Sequence, residues 1–104
     1  NHAVDVLQCD VTRVGGYTEM LRIMAMSQAY NKAFAPHGME HMHMHLVAVA
    51  PNGLYLEKLF MFEEVVKKVF LNAPEPEDGI IIIPDKPGLG LGLNMDYIES
   101  CKER

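Results

Sequence analysis

Three short apolar runs, each closed by a polar residue, constrain this chain more than any other feature; they end at Asp10, His37 and Glu57. In Val4-Asp5-Val6-Leu7-Gln8-Cys9-Asp10 a period of two sets Val6, Gln8 and Asp10 on one face and Leu7 and Cys9 on the other. Ala33-Phe34-Ala35-Pro36-His37 is the second run. Ala33 and Ala35 share the face of His37, and Pro36, which cannot donate to a sheet, is tolerable only because the strand is ending. Leu54-Tyr55-Leu56-Glu57 is the third. The closing residues stand 27 and 20 positions apart, so each gap holds one helix, which a parallel strand requires to return. The reading is α/β, with a carboxylate, an imidazole and a second carboxylate delivered by successive strand ends. Barrels of alternating strands and helices build their active sites this way.

The intervening segments carry helix signals. Gly15-Gly16 makes a turn, Thr18 stands as an N-cap and Glu19 lies in the first helical turn. Leu21, Met24, Ala25 and Ala29 then recur at helical spacing, and Met20, Met24 and Met26 read as adaptable core. A second helix is expected from Glu40 to Ala50, stopped by Pro51-Asn52-Gly53. Beyond Glu57, the spacing of Leu59, Phe62, Val66, Val69 and Phe70 predicts a short helix. Residues 72–79, rich in Pro and acid, read as a loop, Ile80 to Ile83 as a buried strand, and Met95 to Arg104 as a terminal helix.

A formal charge of −5 excludes a nucleic-acid binder, which clusters Lys and Arg to meet phosphates; Lys67-Lys68 is too short a patch. Cys9 and Cys101 have neither redox nor zinc-ribbon spacing. Reduced thiols in a cytoplasmic protein are expected. No uninterrupted apolar stretch is long enough to span a membrane, and no membrane partner is expected. A complete (β/α)8 barrel takes roughly 200 residues or more. The 104 residues here are therefore expected to be part of a longer enzyme.

Four ordered motifs give the chain a family likeness. They are Asp10-Val-Thr-Arg-Val-Gly-Gly-Tyr-Thr-Glu19, Ala35-Pro36-His37-Gly38, Pro51-Asn-Gly-Leu-Tyr-Leu-Glu57 and Pro84-Asp-Lys-Pro-Gly-Leu-Gly90. Together they resemble the C-terminal part of the mandelate racemase subgroup of the enolase superfamily. The resemblance implies an incomplete (β/α)8 TIM-type barrel. Residues 1–57 would supply its last three strand and helix units, and residues 58–104 a C-terminal segment packing on the barrel and returning to the capping domain. It also implies an acid-sugar dehydratase that abstracts the proton next to a carboxylate and eliminates water through an enediolate. A racemase or epimerase of the same subgroup, or a non-catalytic half-barrel that assembles through its open edge, are the alternatives.

By the same resemblance Asp10 and His37 form the proton-transfer dyad, at the ends of the sixth and seventh strands. His37 is the base and Asp10 fixes its tautomer. Glu57, at the end of the eighth strand, is an acid hydrogen-bonding the substrate carboxylate, which asks for burial among apolar neighbours. His41, near the barrel mouth, and Tyr55 are candidate substrate contacts. Mg2+ is the implied cofactor, bound by residues upstream of this chain. Its partners would be the sugar acid, the remainder of the enzyme chain and, at full length, further copies of itself. His41, His43 and His45 could be mistaken for a metal site. Interleaved with Met42 and Met44, they read instead as structural or surface histidines on a helix.

Overall fold

The computed structural model describes residues 3–102. The chain divides into two compact units, Asn1–Lys58 and Leu59–Arg104.

In the first unit the order is β1 (Val6–Leu7), α1 (Tyr17–Ala29), β2 (Ala33–Phe34) and α2 (Glu40–Val49). β1 and β2 are parallel, with Val6 opposite Ala33 and Leu7 opposite Phe34. The ladder runs beyond both: Ala33 N donates to Asp5 O (3.2 Å), Ala35 N to Leu7 O (3.1 Å) and His37 N to Cys9 O (3.0 Å). Phe34, pointing its peptide the other way, donates to Asn52 O (3.0 Å) and accepts from Leu54 N (2.9 Å). Three parallel segments thus lie side by side, helices filling both connections as the spacing demands. The third is shorter than expected. Leu54 to Glu57 is not a strand; its pairing is one parallel bridge, Phe34 to Gly53. Among the described residues no further strand lines its outer edge, so backbone pairing ends at Leu54.

α1 begins at Tyr17, earlier than a Thr18 cap would allow. Gly15 and Gly16, at φ of 100° and 96°, let the chain turn straight into the helix, and Gly16 caps it without a side-chain bond. Its inward face also differs from the expected stripe. Met20 and Ser27 are buried and Met24 packs against the core, whereas Leu21, Ala25 and Met26 are exposed. With apolar residues at nearly every position from Met20 to Met26, local period cannot choose a face; tertiary contacts do. The core itself is Val11, Met20, Phe34 and Leu46, flanked by Cys9, Val14, Tyr17, Met24, Met42, Val47 and Ala50.

Polar bonds then lock the connections. The Tyr17 hydroxyl donates to Met42 O (2.8 Å), tying α1 to α2. Asn52 Nδ2 donates to Ser27 Oγ (2.8 Å) and to Lys32 O (2.7 Å), tying the turn after α2 to the end of α1. Gly53 leaves that turn no room for a side chain, since a Cβ would stand 2.9 Å from Val47 O.

The second unit contains a 3-10 turn (Phe60–Phe62), α3 (Glu63–Val69) and α4 (Met95–Ser100). Asn94 caps α4 by accepting from Tyr97 N (3.2 Å). An antiparallel bridge, Phe70 to Leu93, and the bond from Asn94 N to Val69 O (2.8 Å) join the end of α3 to the start of α4. Ile80 to Ile83 is not a buried strand. Ile80 only bridges back to Glu77 across the Asp78-Gly79 turn, and Ile80 and Ile82 are exposed. An apolar run becomes a strand only where a partner edge is offered, and here the turn offers one residue. The terminal helix stops at Ser100, and the last two residues assigned to it lie outside the described residues.

Candidate active site

The parallel ladder that joins β1 to β2 carries Cys9 and His37 past the last assigned strand residues, so Asp10 and His37 leave the sheet at the same end. Glu57 arrives beside them from the third segment. The imidazole of His37 lies between the two carboxylates: Nδ1 is 4.0 Å from Asp10 Oδ2, and Nε2 is 3.9 Å from Glu57 Oε2. These are ion-pair separations, longer than hydrogen bonds. Exposure separates the roles. The Asp10 side chain is 12% exposed and that of His37 51%, so the ring is open to a ligand while its carboxylate partner is held from beneath.

Asp10 is fixed locally. Its Oδ1 accepts from Thr12 N (2.8 Å) and from Thr12 Oγ1 (2.9 Å), an Asp turn that needs a hydroxyl two residues on. Partial burial pushes the Asp10 carboxyl up, the two Thr12 hydrogen bonds are the chief effects that pull it down, and it lies below the usual value. Its other oxygen is left facing His37.

Glu57 is held by neighbours rather than by apolar walls. Gln8 Nε2 donates to Oε1 (3.2 Å) and Gly38 N to Oε2 (2.8 Å). Its side chain is 29% exposed, which corrects the expectation of an acid buried among apolar groups. The reason is its position: strand ends collect peptide groups and polar side chains from adjacent strand ends, and two of those donors reach it. Gln8 and Asp10 do share one face, as the alternation in the first run requires.

A further histidine enters from α2. His43, fully buried, has Nε2 3.0 Å from Val11 N and Nδ1 2.7 Å from Gly38 O. Its Nε2 is also 3.8 Å from Asp10 Oδ1. His41 is likewise buried, paired with Glu40 at 3.7 Å, so it does not present itself at the opening. Tyr55 is exposed. Sequence reasoning missed Gln8, Thr12, Gly38 and His43. For Gln8 and Thr12 a signal existed, the face shared with Asp10 and the hydroxyl two positions after it; Gly38 and His43 are brought in only by folding.

Among the described residues no three His, Cys, Asp or Glu side chains gather to hold a metal ion. The carboxylates present do not fit Mg2+, which wants near-octahedral oxygen coordination. Asp10 is already bonded to Thr12 and Glu57 to Gln8 and Gly38, and the imidazole stands between the two.

Residues 1–97 match the enolase C-terminal domain-like family. The chain is 32% identical over 96 residues to the L-rhamnonate dehydratase of Saccharopolyspora erythraea, covering 86% of this chain and 25% of that protein. The L-talarate dehydratase of Polaromonas sp. JS666, complexed with Mg and L-glucarate, superposes with a TM-score of 0.83 at 32% identity, over 98% of this chain and 27% of that one. An enolase of the mandelate racemase subgroup from Agrobacterium tumefaciens gives a TM-score of 0.81 at 29% identity, over 94% of this chain and 28% of that one. The chain thus spans about a quarter of the length of the curated relatives it matches.

Proposed function

Since this chain belongs to the enolase C-terminal domain-like family, we propose that it is the base-carrying portion of an acid-sugar dehydratase of the mandelate racemase type. Its parallel segments are, in this reading, the last strands of a (β/α)8 barrel. The observation that carries the proposal is the His37 ring set between Asp10 at Nδ1 and Glu57 at Nε2.

The chemistry follows from that orientation. Asp10 occupies the Nδ1 side, which favours a proton there and leaves Nε2, on the Glu57 side of a half-exposed ring, with a free lone pair. His37 Nε2 takes the proton from the carbon next to the substrate carboxylate. The C–H electron pair passes into the enediolate, and the hydroxyl on the neighbouring carbon then leaves. It departs as water with the proton returned by the imidazolium, so the ring ends neutral. Glu57, as the acid of this reading, donates a hydrogen bond from its carboxylic O–H to the substrate carboxylate oxygen on which charge accumulates. Gln8 and Gly38 hold Glu57 in place for this, and Tyr55 is a substrate contact on the same segment. Mg2+, present in the talarate dehydratase complex, would neutralise the enediolate charge when bound. It is held in this reading by residues outside these 104.

The test is His37→Asn in the full-length enzyme, with exchange of the proton next to the carboxylate followed in deuterated water. The expected result is a loss of about 10²-fold or more, the usual contribution of a general base, with Mg2+ affinity unchanged. Exchange at the normal rate would assign the base elsewhere.

A further inference from the structure

We propose that His43 is a positioning residue that sets the separation of His37 from its two carboxylates; the proposal rests on the assignment of His37 as base. The argument begins with its hydrogen bonds. The Val11 amide can only donate, so His43 Nε2, 3.0 Å away, must accept and carries no proton. Gly38 O can only accept, so Nδ1, 2.7 Å away, must carry the proton. The ring is therefore the neutral Nδ1–H tautomer, fixed by two backbone groups rather than by assignment.

Those two backbone groups are not arbitrary. Val11 follows Asp10 and Gly38 follows His37. One buried ring bonds the residues immediately after the base and its partner. Gly38 also presents its N–H, from the peptide on the His37 side, to Glu57 Oε2 at 2.8 Å. His43 thus holds the carbonyl side of a residue whose amide side holds the second carboxylate, and all three members of the site are referred to a single side chain on α2.

The backbone between His37 and α2 needs such a restraint. Gly38 and Met39 both lie at positive φ, 50° and 44°. For Met39 that conformation costs of the order of 1 kcal/mol or more and persists only where surrounding contacts enforce it. α2 starts there with no side-chain cap. The His43 bond to Gly38 O is the contact that reaches back across the strained pair. Val11, in turn, belongs to the buried core with Met20, Phe34 and Leu46, so the ring ties the residue after the base to the core.

Two substitutions separate the bonds, because the Asn amide lies near the place of Nδ1 and the Gln amide near that of Nε2. His43→Gln keeps an acceptor for Val11 N–H and loses the donor to Gly38 O; His43→Asn does the reverse, and His43→Leu loses both. In this chain, nitrogen NMR at neutral pH is expected to find the Nδ1–H tautomer. Val11 amide exchange is expected to be roughly tenfold faster in the Asn and Leu variants than in the Gln variant, the loss of one hydrogen bond. In the full-length enzyme His43→Leu is expected to lower kcat about 10²-fold, the cost of about 1 Å of misplacement, with KM unchanged, and Asn or Gln to recover part of it. An Nε2–H or doubly protonated ring overturns the proposal without any variant folding. So does a Leu variant with normal kcat. If the wild-type enzyme exchanges no substrate proton while the tautomer and the Val11 result hold, the base assignment fails and the tether stands.

Discussion

Asn52 offers a test of the packing argument that needs no substrate. Its amide is oriented without ambiguity: Nδ2 donates to Lys32 O at 2.7 Å and to Ser27 Oγ at 2.8 Å, while Ser27 spends its own proton on Met24 O at 2.7 Å. Oδ1 is buried with no hydrogen-bond partner among the described residues. Asn52→Ala removes two bonds worth about 1 kcal/mol each, but also removes the orphan oxygen, whose burial costs about 1 kcal/mol or more, so the net loss is about 1 kcal/mol or less. Asn52→Asp loses the same two donors, keeps the orphan and sets a negative charge against Lys32 O; at neutral pH it is expected to cost about 3–4 kcal/mol. The near-isosteric change is thus the worse one. Burial without a donor raises the Asp pKa in the folded state, so the extra penalty grows as the pH rises above the unfolded value near 4 and shrinks in acid. Urea titration at pH 7 and pH 4, followed by NMR signals of residues 3–58, measures both. With an m-value near 1 kcal/mol/M, the Ala midpoint is expected to fall by about 1 M or less and the Asp midpoint by about 3 M or more. Equal midpoints at pH 7, or a more stable Asp variant, would refute the orientation and the orphaned oxygen together.

The remaining predictions are shorter. Calorimetric titration of Mg2+ into this chain alone is expected to give no stoichiometric uptake, and an acid-sugar assay no turnover; tight binding or measurable turnover would mean that the 104 residues suffice. Because the Asp10 carboxyl is held below its usual value, it contributes stability above the unfolded value near 4 that is lost as the pH falls through the folded one. Thr12→Val, which removes the 2.9 Å hydroxyl bond, is expected to cost about 0.5–1 kcal/mol at pH 7 and less in acid; a pH-independent cost would detach it from Asp10. Gly53→Ala would place a Cβ 2.9 Å from Val47 O and is expected to lower stability by about 1–3 kcal/mol, read from a thermal melt. A neutral effect would show that the turn can open.

Much of the site was legible before folding, because strand periodicity and closing residues are local properties. Alternation alone put Gln8 and Asp10 on one face, and the gaps between Asp10, His37 and Glu57 required helices and parallel strands. Pro51-Asn52-Gly53 marked the end of α2 to within a residue, since turn chemistry resides in the residues that make the turn. What the chain could not announce locally depends on which surfaces meet. The inward face of α1 went to Met20, Met24 and Ser27 because the core selects among equally apolar faces. The third segment kept a single bridge, and Ile80 to Ile83 no ladder, because strands exist only by pairing. Glu57 found polar company because Gln8 and the Gly38 peptide converge on it from two other segments. His43 is the clearest case. Its sequence neighbours mark it as a helix residue, yet its bonds run to Val11, 32 positions away, and to Gly38. A hydrogen bond depends on distance in space, and only the tertiary structure decides which distant peptides lie within reach of one buried ring.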